Sequence, residues 1–403
     1  LTGIGKYNGE LCETLANCGF ETEAVCAPPY YPQWRVMQGY CSFQYMSETI
    51  NGVKVYRCPT YVPSTPTALK RLLHLASFAL SSAGLLFTKL ISRKNPNVLF
   101  LVQPTLFCAP LGLLYAKLTG AKSIMHIQDF EVDAFFGLGM GKSKQIKRAV
   151  ERIECFLLRR FDLITTISHK MLEHAVHKGV SAERIVLFPN WSDTSFITPD
   201  ADGSSLKTEF GFAPDDFIVL YSGNIGEKQG LEIVLDAAAA MGDRTKAKFL
   251  FVGDGAHALK LRQKAYEMGL SNCVQFEPLQ PWARVPELLA LADIHLVIQK
   301  RGAADVVLPS KLTNILAVGG HCIVTTDPDT ELGIIAAQYP GIYRCIEPES
   351  SVALIAALKS ALQEVGKNSE HNGVARKFAE QHLNKTAIID TFCRRLRRAA
   401  DSV

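Results

Sequence analysis

The stretch Tyr221-Ser222-Gly223-Asn224-Ile225-Gly226-Glu227-Lys228-Gln229-Gly230 decides the fold. It follows a short apolar run, residues 217–222, and leads into a helical pattern over residues 231–240. A buried strand, a turn of small residues and a helix in that order make the opening of a βα unit in a parallel sheet. Glycines let a backbone approach a ligand closely, and a helix start offers N–H groups to a phosphate, which Lys228 would neutralise. Val252-Gly253-Asp254-Gly255 repeats the pattern after the next apolar run, residues 248–252. A third element, Val307-Leu308-Pro309-Ser310-Lys311-Leu312-Thr313-Asn314, opens another helix, with Ser310 near its N-cap and a cation at its mouth. Each element alone also reads as a plain capped helix start. Two such loops after consecutive strands point to a polyphosphate ligand.

Working outward, apolar runs at residues 274–276, 294–298 and 322–325 continue the strand-and-helix alternation, and a similar rhythm fills the first half at residues 22–26, 98–102, 122–127, 163–167 and 185–188. The expected class is α/β, with one parallel sheet in each half. At 403 residues and 48% hydrophobic composition the chain can fill two cores. Turn residues around Pro189-Asn190-Trp191-Ser192-Asp193 and 198–203 place the junction at Asn190. The expected domains are 1–190, 191–373 and a terminal helical stretch, 374–403. That stretch ends in Arg394, Arg395, Arg397 and Arg398, and reads either as a solvated helix or as one crossing back to brace the first domain. Because a glycine loop stands at the very beginning, where such a domain first needs a strand, a strand is expected to precede Leu1.

The net charge of +4 conceals an asymmetry: residues 1–190 carry 21 Lys and Arg against 13 Asp and Glu, and the remainder 22 against 26. A basic first half suits an anionic membrane, a polyphosphate or nucleic acid, and charge alone does not choose. Residues 72–91 form the most apolar segment, open to reading as a buried, an interfacial or a spanning helix, with His74, Lys89 and several serines weighing against the last. Residues 142–160 place Ile146, Val150, Ile153 and Leu157 at helical spacing among Lys144, Lys147, Arg148, Arg152, Arg159 and Arg160, which fits a membrane-surface helix or an ordinary one. The eleven cysteines form no C-x-x-C pair or zinc pattern, and that usage favours a reducing cytoplasm.

In the first half, Thr2-Gly3-Ile4-Gly5-Lys6-Tyr7 precedes a helical pattern, and His126-Ile127-Gln128-Asp129-Phe130-Glu131-Val132-Asp133 leaves a buried strand with three carboxylates beyond it. Open α/β sheets bind ligands beyond the carboxyl ends of their strands, so Asp129 and Glu131 are candidate site residues, whereas His126 reads as a hydrogen-bonded core histidine.

Taken in order, TGIGKY (2–7), APPYYPQW (27–34), RCPTYVP (57–63), LKRLLHLASFA (69–79), PTLFCAP (104–110), HIQDFEVDA (126–134), FPNW (188–191), SGNIGEKQGLE (222–232), VGDG (252–255) and LPSKLTNILAVGG (308–320) resemble the retaining glycosyltransferases of family 4. The strongest resemblance is to the fucosyltransferase-like enzymes of colanic-acid and exopolysaccharide biosynthesis. It implies the GT-B fold, two Rossmann-like domains facing a cleft. It further implies that Ser222, Gly223, Asn224, Lys228, Gly253, Gly255, Ser310, Lys311, Leu312 and Asn314 hold a nucleotide-diphosphate sugar. Gly3, Gly5, Asp129 and Glu131 would be the catalytic group on the acceptor side. Two positions depart from the family pattern: Asn224 stands where an Arg is frequent, and the paired glutamates with seven residues between them fall on Val306 and Asn314, with Asp305 beside the first.

The implied reaction moves a sugar, with fucose from GDP-fucose as the expected case, to a polyprenyl-diphosphate-linked saccharide with retention at the anomeric carbon. The implied setting is peripheral, on an anionic membrane at the cytoplasmic face, with no nucleic-acid partner. No Asp-x-Asp triplet stands out as metal-binding, so no metal or other cofactor is expected and the protein's cations take that role. A sugar-nucleotide epimerase of the same architecture and a catalytically silent nucleotide-sugar-binding scaffold are the competing readings.

Overall fold

The computed structural model describes residues 3–31, 33–93, 95–103, 106–130, 132–133, 136, 143–242, 245–302, 309–364 and 371–401. The chain divides into two compact units, Leu1–Phe188 with Ile389–Val403, and Pro189–Ile388.

The first unit runs α1 (Ile4–Asn17), β1 (Glu23–Cys26), β2 (Met46–Ile50), β3 (Val53–Arg57), α2 (Ala68–Ile91), β4 (Val98–Gln103), α3 (Ala109–Thr119), β5 (Lys122–Ile127), α4 (Lys144–Leu158), β6 (Leu163–Thr166), α5 (His169–His177) and β7 (Ile185–Leu187). Strands β4 to β7 form a parallel sheet in sequence order. The single sheet expected for this half is corrected: among the described residues β1, β3 and β2 form a separate three-stranded sheet. Its β2–β3 hairpin escaped the search for apolar runs because β2, Met-Ser-Glu-Thr-Ile, has no fully buried residue. The signal was the Asn51-Gly52 turn, where φ is 48° and 82° in succession, as a two-residue hairpin of the right twist requires.

The second unit contains α6 (Ser204–Glu209), β8 (Phe217–Ser222), α7 (Glu232–Met241), β9 (Ala247–Val252), α8 (Ala258–Glu267), β10 (Val274–Glu277), α9 (Val285–Ala290), β11 (Ile294–Val297), α10 (Ser310–Ala317), β12 (Cys322–Thr325), α11 (Glu331–Gln338), β13 (Arg344–Ile346), α12 (Ser351–Glu364) and α13 (Gly373–His382). Its six strands are all parallel, in the order β10-β9-β8-β11-β12-β13. Both faces of such a sheet must be covered, and β8 shows it: Phe217, Val219 and Tyr221 enter one core with Val234, Phe249 and Phe251, while Ile218 and Leu220 enter another with Leu250 and Leu288. Winding reverses between β8 and β11, which creates a crevice where the loops leaving those strands diverge.

The terminal stretch read as one helix is two, α13 and α14 (Lys385–Asp401). Asn384 makes the break: its Oδ1 accepts from Ala387 N at 2.9 Å, starting α14, and its Nδ2 donates to Thr194 Oγ1 at 2.6 Å. Helix α13 packs on α10 in the second unit, whereas α14 belongs to the first unit from Ile389 onward. There Phe392 stacks on Phe188 at 4.2 Å between ring centres and meets Phe100 edge-on, and Arg397 donates to Cys18 O at 3.2 Å. By this division α14 begins in the second unit and continues in the first, and the second unit ends at Ile388 where the expected boundary was residue 373. Because Phe392 is buried, Phe392→Ala is expected to destabilise the first unit by about 3–5 kcal/mol, read by urea unfolding; a loss below about 1 kcal/mol would remove the helix from that core.

Candidate functional site

At the crevice of the second unit, β8 and β9 deliver two loops that interlock. Gly223 N donates to Val252 O at 2.9 Å, Ile225 N to Asp254 O at 2.9 Å, and His257 N to Ile225 O at 3.0 Å. The approach is so close that a Cβ on Gly253 would lie 2.0 Å from Gly223 O, and one on Gly255 would lie 2.3 Å from Ile225 O. Gly253 also has φ 144°, which an L side chain rarely adopts. These glycines therefore serve the contact between the loops. The amides of Gly223, Ile225, Gly226, Gly253 and Gly255 are themselves taken, Gly226 N by Gln229 Oε1 and Gly255 N by Asp254 Oδ1. The expectation that these small-residue amides meet a diphosphate is corrected for these five, which are bonded within the protein.

Lys228 sits in the short 3-10 turn Glu227–Gln229 with its side chain exposed. Its carbonyl accepts from Lys300 N at 3.0 Å, so the loop after β8 is tied to the one after β11. Lys311, in the first turn of α10, comes from beneath: Nζ lies 3.6 Å from the centre of the Tyr221 ring and within van der Waals reach of a Cβ position on Gly223. That Nζ is buried without a hydrogen-bond partner among the described residues. Burial pushes the ammonium down from its ordinary 10.5 to about 7, against a weaker upward pull from the Cys322 thiol. Tyr221 fixes the floor by donating from its hydroxyl to Asn224 O at 2.7 Å, leaving the Asn224 side chain exposed.

Not every expected donor residue points at this place. Leu312 is fully buried in the core with Val297 and Val324. Asn314 accepts from Ser192 Oγ at 2.8 Å, which anchors the chain where it enters the second unit. Pro309, not Ser310, is the N-cap of α10 and gives no side-chain bond, so Ser310 is the first helical residue, exposed. Ser222 ends β8 beside these groups, half-buried. Val306, Asp305, Val307 and Leu308 lie outside the described residues. Two Asp-x-Asp triplets exist, Asp200-Ala201-Asp202 and Asp327-Pro328-Asp329. Asp202 accepts from Ser204 and Asp327 pairs with Arg301 at 3.3 Å, and no cluster of three or more metal-ligating side chains occurs among the described residues.

In the first unit Gly3, with φ 55°, precedes α1, whose first turn contains Gly5. Asp129 is exposed beyond the carboxyl end of β5, and Glu131 lies outside the described residues. His126 is a core histidine: buried, stacked on Phe100, its Nε2 2.8 Å from Gln128 Nε2 and its Nδ1 2.9 Å from Thr165 Oγ1, and held neutral by burial that lowers it to about 3. Sequence reasoning missed what supports this loop. Asp133 meets His174 Nε2 at 2.8 Å and Lys178 Nζ at 2.9 Å, and Lys178 reaches on to the buried Glu154 at 2.5 Å. Burial alone would raise Asp133, yet the hydrogen bonds from His174 and Lys178 bring it down to about 2, while burial keeps Glu154 above the usual carboxylate range despite Lys178. Nothing at sequence level links residues so far apart, although an acid on the inner side of the cationic helix α4 was a visible oddity.

A parallel sheet with a winding reversal and glycine-locked loops at the carboxyl ends of its strands is the architecture on which the comparisons with known proteins bear. Residues 2–191 match the Glycosyl transferase 4-like domain and residues 204–378 the Glycosyl transferases group 1 domain. The chain is 46% identical over 402 residues to the putative colanic acid biosynthesis glycosyl transferase WcaI of Escherichia coli (strain K12), covering 98% of this chain and 97% of that protein. Its fold is similar to sucrose-phosphate synthase from Thermosynechococcus elongatus (TM-score 0.75, 15% identity, 100% and 94% of the two chains) and to WaaG, a glycosyltransferase involved in lipopolysaccharide biosynthesis (TM-score 0.67, 15%, 98% and 95%). The chain belongs to the family of glycosyltransferases that join these two domains, and its fold class is GT-B.

Two outcomes test this geometry. Lys178→Met strands the buried Glu154 carboxylate and is expected to cost about 3–5 kcal/mol in urea unfolding, most of it recovered in the Lys178→Met/Glu154→Leu double variant. For Lys311, the folded group releases its proton near pH 7 and the unfolded one near 10.5, so between these values the unfolded state holds more protons and stability rises with pH. Lys311→Met is therefore expected to raise Tm clearly at pH 7 and little at pH 10. An equal effect at both pH values would show that the ammonium is not suppressed.

Proposed function

We propose that the protein transfers a sugar from a nucleotide-diphosphate donor to a lipid-linked saccharide in the assembly of a colanic-acid-like exopolysaccharide. The single observation that carries this, in a chain of the glycosyltransferase family, is Lys311, whose Nζ is buried against the Tyr221 ring beneath the interlocked loops leaving β8 and β9 with no hydrogen-bond partner among the described residues. As the glycosidic bond to the donor breaks, negative charge grows on the departing diphosphate. Cations already held in place stabilise that charge more than they stabilise the intact donor, which is what lowers the barrier. Lys311, buried without a hydrogen-bond partner among the described residues, gains most from an arriving phosphate. Asn224 and Ser222 border the same crevice and suit the phosphate and ribose oxygens.

The first unit takes the acceptor, with Asp129 orienting a hydroxyl or easing the positive charge that develops on the sugar; a covalent role is not required of it. The two lysines take the part a divalent metal would play, and the anomeric configuration is retained. Fucose from GDP-fucose is the donor we propose, on the strength of the sequence resemblance to fucosyltransferase-like enzymes. The basic first half and the cations of α4 support work at the cytoplasmic face of the plasma membrane, on a polyprenyl-diphosphate-linked acceptor.

Transfer of radiolabelled sugar to extracted lipid acceptor tests the reading. Label is expected in the lipid phase; interconversion of the free nucleotide sugar would instead mark an epimerase, and binding without turnover a scaffold. Lys228→Ala is expected to lower kcat/KM by roughly 30- to 1,000-fold, about 2–4 kcal/mol, as measured in the same assay. Near-normal turnover would take Lys228 out of the site.

A further inference from the structure

Helix α2 is apolar on its outside. It buries His74, Ser82 and Ala79, while Leu69, Leu73, Leu80, Phe87 and Ile91 are between 52% and 75% exposed. The inward polar groups are satisfied, His74 by Tyr61 O at 2.6 Å and Tyr30 Oη at 2.9 Å, and Ser82 by Ala79 O at 2.9 Å. The outward side chains follow one another at steps of four, seven, seven and four residues. At about 100° per residue these steps keep all five within about 40° of a common line, a stripe about 33 Å long. Helix α3 packs against α2 and adds Leu114 and Leu118, also more than half exposed.

Charge selects what covers this face. Neither helix contains an acidic residue. Lys117 and, just past α2, Arg93 are exposed, with Lys70 half-buried at the N-terminal end; Arg71, about 200° round the helix from Leu69, turns away from the stripe over the Trp34 ring at 5.5 Å, and the ammonium of Lys89 is taken by Glu23. A second copy of the chain would set cation against cation with no carboxylate on either helix to pair them. An anionic bilayer offers both partners, acyl chains for the stripe and headgroup phosphates for its border.

We propose that α2 and α3 seat the protein in the plane of an anionic membrane, the stripe Leu69 to Ile91 at the acyl boundary and Lys117 and Arg93 among the phosphates. The helix lies on the membrane and does not cross it, although it is long and apolar enough to do so, because spanning would strip His74 of Tyr61 O and Tyr30 Oη, both outside the helix. This deepens the reading of a transferase working on a lipid-linked acceptor and rests on it.

Flotation of the full chain, without sugar donor, on vesicles of phosphatidylethanolamine containing about a quarter phosphatidylglycerol tests it. The protein is expected to float with these vesicles and to stay behind with phosphatidylcholine alone. Leu73→Ser/Leu80→Ser/Phe87→Ser is expected to lower the bound fraction about tenfold or more while Tm is unchanged. In Leu80→Trp, emission is expected to shift to the blue on the anionic vesicles and to be quenched best by bromines near the headgroups. Failure of the unsubstituted protein to float, flotation of the triple variant undiminished, or quenching strongest at the bilayer centre would each overturn the proposal. So would a solution dimer that the triple variant dissociates. Because no sugar is present, these failures leave the transferase reading standing, whereas retained flotation with no sugar transfer counts against that reading alone.

Discussion

The contact between Gly253 and the carbonyl of Gly223 is what the rest of the second unit is arranged around. With no room for any side chain at that point, the loops after β8 and β9 must lie against one another, and three backbone hydrogen bonds then fix their course. Lys300 adds the loop after β11 through the carbonyl of Lys228. The loops leaving β8 and β9, with Lys300 beyond β11, are in this way tied by backbone hydrogen bonds around Lys228 and above Lys311. Preorganisation of this kind is where electrostatic catalysis finds its advantage, since charges held before the reaction need no reordering during it.

Lys311 carries the cost of that arrangement. A lysine under a glycine turn, above a tyrosine ring and without a hydrogen-bond partner among the described residues, weakens the free protein. It is the kind of local inconsistency that marks a functional position, because an apolar residue of similar length would pack there more favourably. The first unit shows a different solution to the same problem. There Lys178 is buried too, but between Asp133 and Glu154, so its charge is spent on holding the loop beyond β5 against α4 and α5.

Much of this was legible in the sequence, and the exceptions have physical causes. Parallel, doubly covered strands such as 217–222 and 248–252 announce themselves as unbroken apolar runs, and the glycines after them mark close backbone approach; both were read correctly. What the glycines approach was not, since a glycine that lets in another loop and one that lets in a phosphate look alike in one dimension. The β2–β3 hairpin was lost because half-exposed strands lack apolar runs, although Asn51-Gly52 gave its turn away. The break at Asn384 hid inside a helical periodicity that continues on both sides of it. Leu312 and Asn314 sit in a motif whose neighbours face the crevice, and helical geometry alone sends Leu312 to the core. The inverted face of α2 required the structure, because a period of 3.6 names a stripe without saying which way it points.

The account stands most directly on the position of one diphosphate. A crystal structure of the protein with a bound nucleoside diphosphate should place phosphate oxygens within hydrogen-bonding distance of both Lys228 Nζ and Lys311 Nζ, at the mouth of the loops leaving β8 and β9. A diphosphate held anywhere else, with Lys311 still facing only the Tyr221 ring, would contradict it.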